Sequence, residues 1–354
     1  MSFINRWFSS TKSASTGKIN KMPINKGTHV TTSDLISLQQ QARKLDLSRR
    51  SYASASTTGS HRSRFRGRGM DYQESRLYQA GDDIRNMDWR VTARSGKPHT
   101  KLYQEERERP VVLLVDFNSG MFFGSVNALK SVVAAKTAAL IAWAVASRGD
   151  RIGALLITEG EETNTHHELA PKMGKRGALQ LIHALVTHAD PQKAFQAHNN
   201  HSSLNDELQR LRHLAHPGTL VFLISDFYNM GDKTSHHLQR LSRHNDIQAI
   251  QITDPLETTP PPPERYSVTD GENAGILDTR SKKGRERYQN YFNKHHKHVT
   301  ASMQRHNIPL LHISTADDVL LTLQQHFGAK NQRKSVASML SSTSSTTASP
   351  SKEI

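Results

Sequence analysis

The chain has 354 residues, room for one large domain or two modest ones around a substantial core. It contains no cysteine, which excludes disulfides, thiolate metal sites and cysteine nucleophiles and is compatible with a reducing, cytoplasmic setting. Its formal charge of +15 invites a nucleic-acid reading, but residues 1–70 hold 13 Lys/Arg against 2 Asp/Glu while 71–328 hold 30 against 29, so the basicity belongs mainly to the amino-terminal end.

Residues 1–30 are rich in Ser, Thr, Lys and Asn, contain no acid, and read as a disordered basic arm. Ser33-Asp34 looks like a helix start, followed by Leu35, Ile36, Leu38, Ala42 and Leu45 at spacings near 3.6. Residues 51–60 form a polar linker. The basic run Arg62–Gly69 reads either as a phosphate-contacting loop, with Phe65 free to stack on a base, or as a solvated segment. Between Gly81 and Arg94, three acids and three arginines surround Ile84, Met87 and Trp89. That pattern predicts a short capped element held by Arg–carboxylate pairs and an aromatic anchor. His99 to Tyr103 is a candidate strand.

Val111 to Val115 is a continuous apolar, β-branched run ending in Asp116 and the turn Asn118-Ser119-Gly120. It predicts a strand buried on both faces, with Asp116 at the carboxyl end where open α/β sheets place ligands. A nearly all-apolar helix is expected from 125 to 147. Lys130 and Lys136 interrupt it, and no membrane span is expected. Further strands are predicted at 152–157, 220–225, 247–252 and 310–313, with β-like segments at 265–269 and 275–278. Helices are predicted at 177–189, 204–214, 233–244, 284–306 and 316–327, and residues 159–167 read as a loop. Three strands finish in acids: Asp116, Asp226 and Asp254. The alternation implies an α/β, doubly wound, mainly parallel sheet. Residues 328–354 read as a disordered Ser/Thr-rich tail.

Enzyme signatures are absent: there is no nucleophile elbow, no dinucleotide fingerprint and no His-Glu-x-x-His. Gly124 to Ser131 nearly matches a phosphate-binding loop but has Leu129 where the second glycine belongs. The 20 histidines are scattered, with His295-His296-Lys297-His298 the densest group. Asp116, Asn118 and Asp226 are the candidate ligands of a Mg²⁺ site, an ion that takes hard oxygens from one or two carboxylates. The alternative is that Asp116 caps its turn or pairs with an arginine.

An apolar strand ending in an Asp-led turn, a buried helix and a later strand ending Ser-Asp resemble the von Willebrand factor A fold and its metal-ion-dependent adhesion site. More specifically, Tyr78, Gly81-Asp82-Asp83-Ile84-Arg85, Asp88-Trp89, Thr92-Ala93-Arg94 and Glu105-Glu106-Arg107 resemble the family catalogued as domain of unknown function 58. The resemblance implies a signature region at 31–109, with Tyr78, Gly81, Asp82, Asp83, Arg85, Asp88, Trp89 and Arg94 as its structural residues, and a von Willebrand A-like domain at 110–327. The adhesion site is degenerate here, because Asn118 and Gly120 stand where its motif has two serines, and Gly174 to Gly177 offers no threonine-bearing loop. Many family members carry amino-terminal membrane helices, and this chain resembles the soluble branch. The resemblance implies a non-enzymatic, cytoplasmic adaptor or co-chaperone acting with a MoxR-type AAA+ ATPase and other von Willebrand A proteins on client complexes. The second expectation is a nucleic-acid-associated protein using the basic arm; a third, a metal-dependent hydrolase built on Asp116 and Asp226, lacks an accompanying base.

Overall fold

The computed structural model describes residues 27–47, 70–105, 109–158, 166–194, 204–231, 233–269 and 274–327. The tail at 328–354, the run Arg62–Gly69, the 51–60 linker and residues 1–26 of the basic arm lie outside the described residues. The chain divides into two compact units, one formed by 1–51 with 110–354 and the other by 52–109.

The first described elements are α1 (Thr32–Ser37) and α2 (Gln39–Ala42). Thr31 caps α1: its hydroxyl accepts the Asp34 N–H, and the Asp34 carboxylate accepts the Thr31 N–H. The resemblance groups this segment with the signature region, but it folds into the larger unit. The reason is burial: Leu35 and Ala42 sit in the main core, and the Trp143 indole donates to the Leu35 carbonyl at 2.9 Å.

The smaller unit contains β1 (Met70–Leu77), α3 (Trp89–Ser95) and β2 (His99–Glu105), with the two strands antiparallel. The remaining elements belong to the larger unit: β3 (Val111–Phe117), α4 (Lys130–Ser147), β4 (Arg151–Thr158), β5 (His166–Met173), α5 (Gly174–His188), α6 (Pro191–Ala194), α7 (Leu204–Leu214), β6 (Leu220–Ser225), α8 (Thr234–Ser242), β7 (Asp246–Thr253), α9 (Pro255–Thr258), β8 (Arg265–Thr269), β9 (Ala274–Asp278), α10 (Lys282–Arg305), β10 (Leu310–Ser314) and α11 (Val319–Phe327).

Six of these strands form one sheet in the order β10-β7-β6-β3-β4-β5, parallel except for β5. Every residue of β3 is buried. Val111, Leu113, Val115 and Phe117 face a core with α4 and α5; Val112 and Leu114 face a second core with α7, α8 and α10. A strand buried on both faces has no polar side to show, which is why its sequence runs apolar without alternation. The doubly wound, mainly parallel expectation is met.

Two local readings change. The expected loop at 159–167 gives way at His166 to β5, a strand that the sequence reading did not anticipate, polar and at the edge, with Leu169 its one buried residue and Pro171 tolerated at the margin of the sheet. Gly153 of β4 makes this pairing possible, because a Cβ there would lie 2.7 Å from the Leu169 carbonyl oxygen. Helix α4 starts at Lys130 rather than 125. By length and composition α4 could cross a membrane, yet 83% of it is buried inside the fold.

Candidate functional site

Because β7, β6 and β3 are adjacent and parallel, their acidic ends meet on one rim. Asp116 and Asp226 are 2% and 4% exposed, and Asp254 is fully buried. Buried carboxylates need partners or protons, and each acid is accommodated differently.

Asp116 accepts the Asn118 N–H at 2.9 Å and the Ser225 hydroxyl at 2.6 Å. It therefore caps its own turn, and no arginine pairs with it among the described residues. Burial, then the neighbouring Asp226 charge, pushes its carboxyl up to about 7. Asp254 accepts the N–H and hydroxyl of Ser125, the Thr315 hydroxyl and the Leu256 N–H. Burial raises its carboxyl, but these donors outweigh burial and hold it below the usual range.

Asp226 is neutralised by Lys130, whose Nζ lies 2.8 Å from both Asp226 Oδ2 and Glu257 Oε1. Lys130 is only 2% exposed. Burial opposes its charge, yet Asp226 and Glu257 together raise the ammonium above its ordinary value. Glu257 is placed by a capping box: Asp254 is the N-cap of α9, Pro255 follows, and Glu257 Oε2 accepts the Asp254 N–H at 3.0 Å. One carboxylate oxygen thus closes the cap while the other holds the lysine.

After Asp226 the chain turns through Phe227, a buried aromatic at φ 62°. Such a left-handed residue costs about 1–3 kcal/mol. The turn is held by the Ser225 hydroxyl, which accepts the Phe227 N–H, and by Asp226 Oδ1, which accepts the Tyr228 N–H. Tyr228 then lies under the ammonium, 5.6 Å from ring centre to Nζ, and stacks on His295 at 3.8 Å. His295 donates to the Asp226 carbonyl at 2.9 Å, and burial pushes its imidazole down to about 4. The histidine-dense run thus contributes a neutral packing partner.

A model of the protein family of unknown function 58 matches residues 74–298. The chain belongs to that family. The uncharacterized protein Rv1480 of Mycobacterium tuberculosis is 26% identical over 280 residues, covering 79% of this chain and 85% of its own length. Among solved structures, BatB from Bacteroides thetaiotaomicron is similar at 10% identity and TM-score 0.35, covering 67% of this chain and 98% of that one. A von Willebrand factor type A protein from Catenulispora acidiphila is similar at 12% identity and TM-score 0.28, covering 44% and 34%.

The signature residues of this family member lie in the smaller unit. Gly81 adopts φ 103°, a left-handed backbone that makes the turn into the Asp82-Asp83 pair. Asp82 accepts the Gln79 N–H and pairs with Arg76 at 2.7 Å. Asp83 caps a short 3-10 turn through the Arg85 N–H, and Asp88 caps α3 through the Val91 N–H while accepting the Ser75 hydroxyl at 2.6 Å. Tyr78 bonds through its backbone to the Pro98 carbonyl. The expected Arg–carboxylate pairing is met once, by Asp82 with Arg76 of β1, while Arg85, Arg90 and Arg94 make no ion pair among the described residues. Trp89 is no anchor either, being 67% exposed.

The residues on the rim do not fit Mg²⁺. Asn118 Oδ1 has no hydrogen-bond partner among the described residues and could serve as a ligand. Against it, Gly120 offers no side chain, and a Cβ there would already stand 3.2 Å from Asp226 Oδ2. The cation position on Asp226 is taken by Lys130. Two unit charges 4 Å apart repel by about 4 kcal/mol at an effective dielectric of 20, and a divalent ion doubles this. Nor can the loop cradle a phosphate, since its lysine is sequestered and Gly124 packs against the Ala128 carbonyl.

Lys130, Glu257, Tyr228 and His295 complete the rim without having been singled out for it in the sequence, whereas Ser225 stood in the strand ending Ser-Asp. A signal for Glu257 lies in Asp254-Pro-Leu-Glu257, a capping box with proline at the first helical position.

Proposed function

We propose that this protein is a non-enzymatic protein-interaction module, an adaptor or co-chaperone working in the cytoplasm with a MoxR-type AAA+ ATPase and other von Willebrand A proteins. The observation that carries this reading is on the signature unit. Trp89 (67%), Ile84 (64%) and Leu77 (53%) are exposed there, beside the exposed Arg85, Arg90 and Arg94, which make no ion pair among the described residues. Exposed aromatic and aliphatic groups with arginine are the composition of interface hot spots, and such side chains are costly to leave in water. The rim is consistent with the same reading, because its carboxylates are buried and bonded within the chain.

The test is binding of the purified full chain to a MoxR-type ATPase of the same organism, with ATP, comparing wild type with Trp89→Ala. The side chain supports no core, so the fold should change by less than about 0.5 kcal/mol. Loss of a hot spot should weaken binding by about 2 kcal/mol or more, roughly thirtyfold. Equal binding by both proteins, or none by wild type, would reject the proposal. The second reading, nucleic acid on the basic amino-terminal arm, rests on the charge at residues 1–70. It would instead give binding that falls steeply with salt and ignores Trp89.

A further inference from the structure

The rim departs from a metal site in two places, and the departures complement each other. Where a hydroxyl ligand would stand there is Gly120, whose missing side chain leaves Asp226 Oδ2 approachable. On that same oxygen sits the Lys130 ammonium, shared with Glu257 at equal distances of 2.8 Å. The ammonium reaches the rim because Lys130 is the first residue of α4, so its side chain extends from the amino-terminal end of the helix toward the strand ends. We propose that Lys130 is a resident cation, tethered by its own side chain, which does the work a divalent ion would do in bridging Asp226 to a second carboxylate. The rim is therefore organised without metal. The lysine is also what keeps metal out: with it removed, Asp226 and Glu257, which now meet at its ammonium, become a site for a small divalent cation.

A simple buried ion pair would satisfy the charges but would not predict this last property. A lysine replaced by a neutral side chain ordinarily leaves two acids with nothing to offset them. Here the same two acids converge on one point, each 2.8 Å from the ammonium, and Mg²⁺ and Mn²⁺ select hard oxygens of this kind from one or two carboxylates.

The experiment uses the full chain as wild type, Asp226→Asn, Lys130→Ala, Lys130→Met and Lys130→Ala/Asp226→Asn. Mn²⁺ binding is followed by calorimetry and by the electron paramagnetic resonance of the free ion. Melting temperature is followed with EDTA and with millimolar MnCl₂. Wild type should melt identically in both and bind no Mn²⁺ at the rim. Lys130→Ala should melt lower in EDTA, bind Mn²⁺ where wild type does not, and recover melting temperature when it does. The double variant should bind none.

Wild-type binding that disappears with Asp226→Asn, or a wild type destabilised by EDTA, would overturn the proposal. So would folded lysine variants that bind no Mn²⁺. If neither lysine variant folds, the wild-type arms still decide whether the rim stands without metal.

Discussion

Asp116→Asn is the substitution whose effect the rim geometry defines most closely. The Asp116 carboxyl titrates at about 7 against an ordinary 3.8, because it is buried and faces the charge of Asp226. An acid whose pKa is raised by folding contributes fully below its unfolded value and loses that contribution as pH climbs to its folded value. The window therefore runs from about pH 4 to about pH 7, with stability falling as pH rises. Three units at 1.36 kcal/mol each amount to about 4 kcal/mol. Asparagine does not ionise, so this loss vanishes. Its amide oxygen can still accept the Asn118 N–H, but the bond from Ser225 must be rearranged, costing about 1 kcal/mol. The variant should be less stable than wild type by about 1 kcal/mol near pH 4 and more stable by about 2–3 kcal/mol near pH 8. Urea unfolding of both proteins across this range measures the difference, in which the titration of groups distant from the site cancels. A stability difference that stays constant from pH 4 to pH 8 would refute the assignment of Asp116 as a buried, weakly acidic group.

Gly153→Val would place a side chain 2.7 Å from the Leu169 carbonyl and against Pro171. The resulting overpacking should lower stability by about 1–3 kcal/mol, seen as a fall in the urea midpoint; an unchanged midpoint would mean that β5 is not held against β4 there. Trp143→Phe removes the indole donor to Leu35. It should cost about 1 kcal/mol and quicken amide exchange in α1 and α2 while β3 stays protected. Equal acceleration in β3 would contradict the separate attachment of that segment.

The sheet was legible because its central strands carry a signal that needs no partner. A run such as Val111 to Val115 has to be buried wherever it lies, and Leu220 to Ile224 repeats it. What failed was local sequence that tertiary contacts override. Residues 125–129 look helical, but Asp254 holds Ser125 and the Gly27 carbonyl accepts the Leu129 N–H, so α4 begins only at Lys130. The strand β5 has no apolar alternation because an edge strand with Leu169 as its one buried side chain does not require it. Charge balance within 81–94 suggested mutual pairing, whereas the aspartates found nearer donors in backbone N–H groups. Asp226 and Lys130 stand 96 residues apart, and Glu257 is 127 from the lysine. No spacing rule connects residues that only a crossover connection brings together.

The rim poses one electrostatic problem and solves it three ways. Parallel strands ending in acids deliver their carboxylates to a single edge, and a fold that buries them must offset each one. Asp254 is offset by hydroxyls and N–H groups, Asp116 by two donors and a proton that it keeps to about pH 7, and Asp226 by an ammonium. Each of the three is met by groups of the chain itself, and the strain at Phe227 is held in place by bonds from Ser225 and Asp226 themselves. A closed arrangement of this kind has little to offer a partner directly, since Lys130 and the carboxylates are inaccessible. Exposed apolar side chains occur in both units: Trp89, Ile84 and Leu77 in the signature unit, and Phe123, Val126, Met173 and Ile276 among those of the larger one. Under the proposed function the rim serves as framework and the signature element as the recognition surface, so that Lys130 substitutions should alter stability and metal binding while Trp89 substitutions alter partner binding alone.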